Sequence, residues 1–318
     1  MKNIIKNIIY SPAIRKSCAP AVRLLLKALN KDSMILCMDG GICSQIHFYT
    51  IGKYFEEHGF RVAYNMQWFR ISGMDLDGRY VRNFDLLKLH PLLSFKTVEN
   101  RLLLIIYRMF FMSRYSFDDD HEASCTWREE LPPTYFPGYF RDVPGLFVSL
   151  LPKYFPLDVI TSCLDEYSTA FLRKIMEKEC VAIHVRRGDL SKYSEEYGVP
   201  CSTSYFSRAV RLFSTRGVTR FFLFSDEPQW CKDQLLPLLP KGSEYIIAEG
   251  NGSDKGYMDL VLMATCDHTI ASKGSLGKYS ACLNNSKDRI VVCCDDNKEK
   301  FWKEVFPNII FLSNKEEE

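Results

Sequence analysis

Short apolar runs alternate with helical patterns along most of the chain. Runs rich in Val, Ile and Phe predict strands that are covered on both faces. The predicted strands are Met34–Met38, Arg61–Asn65, Val181–Val185, Phe221–Phe224, Tyr245–Ala248, His268–Ala271 and Arg289–Cys293. The predicted helices are Ser44–His58 with Gly59 as its C-cap, Leu157–Lys178, Ser204–Phe213, Tyr257–Thr265 and Ser275–Leu283. This alternation predicts an α/β fold with parallel sheets and right-handed crossovers.

The length and a change of pattern predict two β/α domains. The chain has 318 residues, and domains average roughly 150 residues. The middle of the chain, about residues 74 to 150, is less regular and carries several prolines. We place the boundary just before the long predicted helix. The predicted parts are a basic N-terminal segment, 1–33, an N-terminal β/α domain, 34–153, and a C-terminal β/α domain, 154–318.

The composition is that of a globular protein, with 47% apolar and 25% charged residues. A net charge of +2 argues against a nucleic-acid partner. No apolar run reaches the roughly 18 residues of a membrane span. The twelve cysteines include no CxxC pair, and Cys293 and Cys294 are adjacent, which suits neither one zinc ion nor one disulfide. We therefore predict reduced thiols and a cytoplasmic location.

The first 33 residues are basic, with seven lysines and arginines against the single acid Asp32. Isoleucines and leucines lie between the cations. This pattern is typical of an amphipathic segment on an anionic membrane surface, here the inner face. The alternative is an N-terminal helix packed on the protein.

The stretch Cys180–Leu190 reads C-V-A-I-H-V-R-R-G-D-L and predicts an anion site. Ligands of parallel α/β sheets bind beyond the carboxyl ends of the strands. Arg186 and Arg187 follow such a strand, and planar guanidinium groups suit a phosphate or diphosphate. Gly188 allows a sharp turn, and Asp189 can orient an arginine. The alternative is a salt-bridged surface turn.

The H-x-R-R-G-D string resembles the signature of α-1,2-fucosyltransferases, the eleventh glycosyltransferase family, whose relatives include α-1,6- and protein O-fucosyltransferases. Further blocks resemble the family in the same order. They are M-D-G-G-I-C-S-Q at Met38–Gln45, N-F-D-L at Asn83–Leu86, G-Y-F-R-D at Gly138–Asp142, F-F-L-F-S-D-E-P-Q-W-C at Phe221–Cys231 and D-L-V-L-M-A-T-C-D-H-T-I-A at Asp259–Ala271.

The resemblance implies a GT-B-like fold, in which two Rossmann-type β/α domains face a central cleft. The donor, GDP-L-fucose, would bind mainly to the C-terminal domain and the acceptor to the N-terminal one. Fucose would pass with inversion to the 2-hydroxyl of a galactose-type sugar in a glycan or surface polysaccharide. No cofactor and no metal are expected, because arginines would hold the departing diphosphate in place of a divalent ion.

Site residues follow from these matches. Arg186 and Arg187 would stabilise the leaving diphosphate, and Asp189, Glu195 or the adjacent Glu196 would be the base. The other predicted donor contacts are Gly40, Gly41, Gln45, His184, Ser225, Asp226, Asp259 and Ser275. A carboxylate at 259 would accept from guanine N1–H and the 2-amino group, or else would be a favourable charge in the first turn of a helix.

The chain also departs from the family pattern. Ser44 replaces an asparagine, and Ser272–Asn284 lacks the family's tryptophans but gains Lys273 and Lys278. A transferase with another nucleotide sugar is therefore a second hypothesis. It would use a metal at one of two D-x-D matches, Asp75–Asp77 or Asp118–Asp120. A non-catalytic nucleotide-sugar binder is the third.

Overall fold

The computed structural model describes residues 12–71, 74–75, 80–113, 130–137, 145–192, 194–252, 254–284, 286–294 and 299–315. The chain divides into two units. The first comprises Met1–Leu86 with Leu92–Leu146, and the second comprises Leu87–Pro91 with Phe147–Glu318. The boundary after Leu146 lies a few residues before the predicted one. No helix among the described residues is both long and apolar enough to cross a bilayer.

The first unit contains a small parallel sheet. Its strands are β1 (Met34–Cys37), β2 (Val62–Asn65) and β5 (Thr134–Phe136), in the order β2-β1-β5, and a separate antiparallel pair is formed by β3 (Met74–Asp75) and β4 (Tyr80–Val81). In register, Met34 of β1 lies opposite Val62 and Thr134. Both strands predicted here are present, whereas β5 was not predicted, because prolines at 132, 133 and 137 bracket its three residues.

The helices of the first unit cover this sheet. They are α1 (Pro12–Ala28), α2 (Ile42–Glu57), α3 (Gln67–Ile71), α4 (Leu86–Leu89), which extends into the second unit, and α5 (Arg101–Phe110). The C-cap prediction at Gly59 is consistent with its φ of +81°, and its N–H donates to the Glu56 carbonyl at 3.0 Å. Helix α1 packs on α5 through one of its faces.

The second unit is built on a fully parallel six-stranded sheet of order β11-β10-β9-β6-β7-β8. Its strands are β6 (Val181–Val185), β7 (Arg220–Ser225), β8 (Glu244–Ala248), β9 (His268–Ala271), β10 (Val291–Cys294) and β11 (Ile309–Leu312). Only β11 was not predicted. The predicted α/β class, with a parallel sheet in each of two units, is confirmed.

Helices connect these strands. They are α6 (Leu151–Tyr154), α7 (Leu157–Ile160), α8 (Glu166–Ile175), α9 (Gly188–Lys192), α10 (Ser194–Tyr197), α11 (Thr203–Ser214), α12 (Pro228–Trp230), α13 (Gly256–Thr265), α14 (Leu276–Leu283) and α15 (Glu299–Val305), with π-helical turns at Leu146–Leu150 and Cys231–Leu235 and 3-10 turns at Thr161–Cys163 and Leu236–Leu238. The prediction of one helix over Leu157–Lys178 was wrong. Asp165 caps a new helix there by accepting from the Ser168 N–H at 2.9 Å.

Apolar residues cover both faces of the second sheet. Side chains alternate along a strand, so Val181 and Phe221 belong to one buried cluster while Ala182 and Phe222 belong to another. This burial explains why the strands have continuous apolar runs instead of an alternating pattern. The described cysteines are free thiols.

Candidate nucleotide-sugar site

Three adjacent strands of the second sheet end at the same edge, because parallel strands point the same way. Strand β6 pairs with β7 on one side and β9 on the other. The segments that follow these strands are Arg186–Asp189 after β6, Asp226 after β7 and Ser272–Ser275 after β9. The fold therefore gathers the arginine motif and two other predicted segments at one edge, where ligands of parallel sheets bind.

Arg186 is fixed at both its backbone and its side chain. Its N–H donates to Ser272 Oγ at 2.9 Å. Its Nε donates to Asp189 Oδ1 at 2.9 Å, and Nη2 donates to Oδ2 of the same carboxylate. The Arg186 side chain remains 28% exposed. Asp189 thus orients Arg186, as the sequence suggested, and a carboxylate in such a pair is a poor proton acceptor.

Because Gly274 has no side chain, there is space beside it for the Arg186 guanidinium. Its φ is +96°, and an added Cβ would lie 2.7 Å from Arg186 Nη1 and 3.0 Å from Cδ. No L-residue tolerates both conditions without a shift. The loop Ser272–Ser275 and Arg186 are therefore closely fitted to each other. This contact was not predicted from the sequence.

Arg187 has a different environment from its neighbour. Its guanidinium carbon lies 4.0 Å from the centre of the Trp230 ring, and Nε lies 3.4 Å from Glu227 Oε2. The side chain is 20% exposed. Cation–π stacking and an ion pair therefore engage this arginine on the β7 side of the motif. Neither arginine extends into bulk solvent, but only Arg186 lies against the Ser272–Ser275 loop.

Asp226 shapes the turn that carries the arginines. Its two carboxylate oxygens accept from the N–H groups of Arg187 and Gly188, at 2.9 and 3.0 Å. Ser225 Oγ accepts from the Glu227 N–H at 2.9 Å. Both residues predicted at the end of this strand thus stabilise local turns. Gly188 is also constrained, since a Cβ there would lie 3.1 Å from Asp226 Oδ2.

His184 is buried at the end of β6, and its Nδ1 lies 3.1 Å from Ser272 Oγ. Burial, followed by the nearby charges of Arg186 and Lys278, lowers the pKa of His184 to about 3. The imidazole is therefore neutral at physiological pH. Its Nδ1 is within hydrogen-bond distance of the Ser272 hydroxyl, so this histidine has a structural hydrogen-bond partner at the end of the strand.

Asp259 lies in the first turn of α13, and its Oδ1 accepts from Asn251 Nδ2 at 2.8 Å. Ser168 Oγ donates in turn to Asn251 Oδ1 at 3.3 Å, which fixes the orientation of the amide. Burial raises the pKa of Asp259 to about 7, against a lowering effect of the Asn251 hydrogen bond. No sequence pattern pointed to Asn251, because its partner lies across a turn.

The remaining predicted residues of the second unit lie near helix starts. Ser275 is at the N-cap position of α14, and its side chain makes no capping hydrogen bond. Glu195 is exposed on α10, and nothing is described of the Glu196 side chain. The ammonium of Lys278 lies 5.2 Å from the centre of the Trp302 ring, in a buried position.

In the first unit, Gly40 and Gly41 connect β1 to α2. Gly40 has a φ of +67°, and a Cβ there would lie 2.9 Å from Ser44 Cβ, while a Cβ on Gly41 would meet nothing within 4 Å. Gln45 is fully buried. Its Nε2 donates to the carbonyls of Gly40 and Asn83, and its Oε1 accepts from the N–H groups of residues 85 and 86. These four bonds engage both the nitrogen and the oxygen of the side-chain amide, so Gln45 holds the surrounding loops together. Its predicted contact with the donor stays a prediction.

The two D-x-D matches fall mostly outside the described residues. Asp75 lies in β3, whereas Asp77 and the whole of Asp118–Asp120 are not described. Within the described residues, no group of three or more His, Cys, Asp or Glu side chains is placed to hold a metal ion.

A family profile and several known proteins resemble this chain in sequence. The profile of a family described as Glycosyl transferase family 11 matches residues 114–312. Alpha-1,2-colitosyltransferase from Escherichia coli is 28% identical over 108 residues, which are 33% of this chain and 36% of that protein. Galactoside alpha-(1,2)-fucosyltransferase 2 from Rattus norvegicus is 24% identical over 230 residues, 65% of this chain and 63% of that protein. The chain thus spans less than two thirds of the length of either relative.

Solved structures also match this chain, at lower sequence identity than the relatives above. POFUT1 in complex with GDP matches with a TM-score of 0.47 and 12% identity, covering 82% of this chain and 98% of that chain. The E. coli ADP-heptose lps heptosyltransferase II matches with a TM-score of 0.45 and 10% identity, covering 88% and 90% of the two chains. Similarities of this size carry no conclusion about the ligand or activity of this chain.

Proposed function

Because the chain belongs to glycosyl transferase family 11, as its motifs predicted, we propose that it transfers L-fucose from GDP-L-fucose to the 2-hydroxyl of a galactose-type acceptor. The acceptor would be a sugar of a glycan or surface polysaccharide, and the transfer would invert the anomeric centre. The observation that supports this best is the Arg186 guanidinium, which Asp189 and Gly274 fix at the ligand-binding edge of a parallel sheet.

The reaction needs a cation at this position. As the bond from fucose to GDP breaks, negative charge develops on the β-phosphate and positive charge on the sugar ring. A preorganised guanidinium stabilises that developing charge and does not have to reorient during the step. Arg186 is preorganised in this sense, because its side chain is tied to Asp189 and its backbone to Ser272. It would take the role that a divalent ion has in other sugar transferases.

Arg187 would act mainly by positioning this motif. Its guanidinium stacks on Trp230, and the backbone N–H groups of residues 187 and 188 donate to Asp226. These contacts hold the backbone next to Arg186. We therefore assign the principal contact with the leaving diphosphate to Arg186 and a supporting role to Arg187.

Guanine selection would fall to Asp259. A carboxylate accepts the paired hydrogen bonds of guanine N1–H and the 2-amino group, and adenine and uracil cannot supply that pair. Asn251 holds one carboxylate oxygen and so limits rotation of the side chain. The raised pKa of about 7 means that the free site is partly protonated at neutral pH, and guanine would favour the charged form.

Proton removal from the acceptor hydroxyl requires a base other than Asp189. That carboxylate already accepts hydrogen bonds from the Arg186 guanidinium. Of the three named acids we favour Glu195, which is exposed on α10 a few residues beyond the arginines. On the first unit, the open position at Gly41 would let backbone come close to a ligand.

A second donor is supported by one specific comparison. The relative with the 28% identical segment is named an alpha-1,2-colitosyltransferase. The altered Ser272–Asn284 segment of this chain, which gains Lys273 and Lys278 and lacks the family's tryptophans, would allow a sugar other than fucose. The nucleotide contacts proposed above would be the same for either donor.

Calorimetry with GDP, UDP and CDP, each with and without EDTA, tests the nucleotide and the metal together. We expect GDP to bind most tightly and EDTA to have no effect. Transfer is then measured with GDP-L-fucose and a panel of galactosides in EDTA. Loss of transfer in EDTA and recovery with manganese would establish the metal-dependent alternative. GDP binding without hydrolysis or transfer of any GDP-sugar tested would indicate a non-catalytic binder.

A further inference from the structure

Helix α1 is attached to the first unit by one of its faces. Ala19, Val22 and Leu26 pack into a cluster with α5 and with strands β1 and β5. The Arg23 guanidinium also donates to the Pro132 carbonyl at 2.7 Å. These contacts fix the rotation of the helix about its axis. They therefore determine which side chains face away from the protein.

The face away from the protein carries leucines. Leu24 and Leu25 are 70% and 57% exposed, and Leu29, in the turn that follows, is 59% exposed. The exposed alanines at 21 and 28 extend this face along the helix. Single exposed apolar residues are ordinary on a soluble surface, but three leucines within six positions form a patch that marks an interaction site.

Positive charge borders the leucines. Helix α1 contains no acidic residue. Lys16 and Lys27 are both exposed, and because they are eleven positions apart, about three turns, they lie on the same side of the helix. Lys31 is exposed just beyond the helix. An apolar stripe next to a basic stripe is what the interface of an anionic bilayer accommodates, since the acyl boundary takes the leucines and the headgroups take the lysines.

We infer that this surface, formed by Lys16, Leu24, Leu25, Lys27 and Leu29 and here called the α1 face, binds the surface of an anionic lipid bilayer. Binding would be peripheral, with the helix lying in the plane of the interface. The combination of exposed leucines with uniformly positive charge selects lipid over a second copy of the chain, because two α1 faces would bring like charges together. This inference does not depend on the nucleotide site.

Co-sedimentation of the full chain with vesicles tests the α1 face. One set of vesicles contains phosphatidylcholine alone, and the other also contains phosphatidylglycerol. We expect binding only to the second set, weakened by salt. Leu24→Ser with Leu25→Ser should reduce partitioning by about tenfold or more, because inserted leucine side chains supply much of the free energy. Lys16→Glu with Lys27→Glu should reduce it by a similar factor, on the order of tenfold.

A matched control replaces two leucines of the first unit outside the α1 face. Leu92→Ser with Leu131→Ser removes the same groups from positions that are also exposed, and it should leave partitioning unchanged. GDP calorimetry and thermal melting show whether each variant is folded. Absence of vesicle binding, equal binding to both vesicle sets, or an equal loss in the control would overturn the inference. So would light scattering showing that the leucine variant dissociates an oligomer, because the face would then cover a second copy.

Discussion

Replacing Gly274 by alanine tests whether the fit between the Ser272–Ser275 loop and Arg186 matters for transfer. The glycine has a φ of +96°, and the new Cβ would lie 2.7 Å from Arg186 Nη1. The guanidinium is restrained from retreating, because Asp189 binds its Nε and Nη2. The substitution therefore sets a methyl group directly against the proposed leaving-group cation.

The size of the effect follows from this contact. Ordinary van der Waals contact begins at 3.4 Å, so the Cβ and Nη1 must separate by about 0.7 Å. A displacement approaching 1 Å in a preorganised group costs about a hundredfold in rate, and we expect that loss mainly in kcat. The left-handed backbone adds a strain of about 1–3 kcal/mol, which lowers the free energy of unfolding.

The assay measures GDP release from GDP-L-fucose in the presence of acceptor, with kcat and KM determined separately. Gly217→Ala is the matched control. Gly217 has a φ of +84°, but a Cβ there would meet nothing within 4 Å. The control therefore shares the backbone strain without the contact on Arg186. We expect it to lower the melting temperature by a similar amount and to leave kcat near that of the parent protein.

Two results would refute this reasoning. If Gly274→Ala retained the parent kcat, the loop would not position Arg186 for the reaction. If Gly217→Ala lost as much activity as Gly274→Ala, backbone strain alone would explain the loss. In either case the close approach seen between the loop and the guanidinium would have no part in transfer.

Arg186→Ala should lower kcat by about a hundredfold or more with the fold retained, and Arg186→Lys should recover little, because one ammonium cannot replace a paired fork. Arg187→Ala should cost about 1 kcal/mol of stability from lost stacking on an aromatic ring but much less kcat, and equal kcat losses at both positions would contradict the unequal roles. GDP affinity, measured by calorimetry, should increase with pH by up to about tenfold per pH unit until the pH passes the pKa of Asp259, which is about 7, because guanine requires the carboxylate. Asp259→Asn should remove this pH dependence. If the affinity of the parent protein did not change with pH, the proposed role of Asp259 would be contradicted. Arg289→Leu should lower the free energy of unfolding, measured in urea, by about 3–5 kcal/mol, because buried carbonyls that accept hydrogen bonds from this guanidinium would lose their partner. Arg216→Leu, at an exposed position, is the control and should have little effect.

The pattern of apolar residues predicted the second sheet well, because burial on both faces requires continuous apolar strands. It failed where the signal is short or interrupted. Strand β5 has three residues between prolines, and a pattern of that length does not stand out from a loop. Helix α5 was not among the predicted helices. The break before α8 depends on one capping side chain, Asp165, which resembles any other surface acid in the sequence.

The site was predictable as far as it is local in sequence. Asp189 follows Arg186 by only three positions, in the first turn of α9, so the pairing of the two side chains could be expected. The partners of Gln45 and Asp259 could not, because they come from loops that only the folded chain brings close. The types of the candidate residues could therefore be predicted, while the groups that hold them in place could not.

The two adjacent arginines show why sequence position alone does not assign roles at such a site. Residues that follow one another after a strand point in different directions, so one guanidinium meets the β9 loop and the other meets the β7 connection. Gly274 accommodates the first, and Trp230 and Glu227 engage the second. A leaving diphosphate needs a cation whose position is fixed but whose charge is still accessible. Arg186, oriented by a carboxylate and 28% exposed, fits that requirement better than Arg187, whose guanidinium is stacked on an indole.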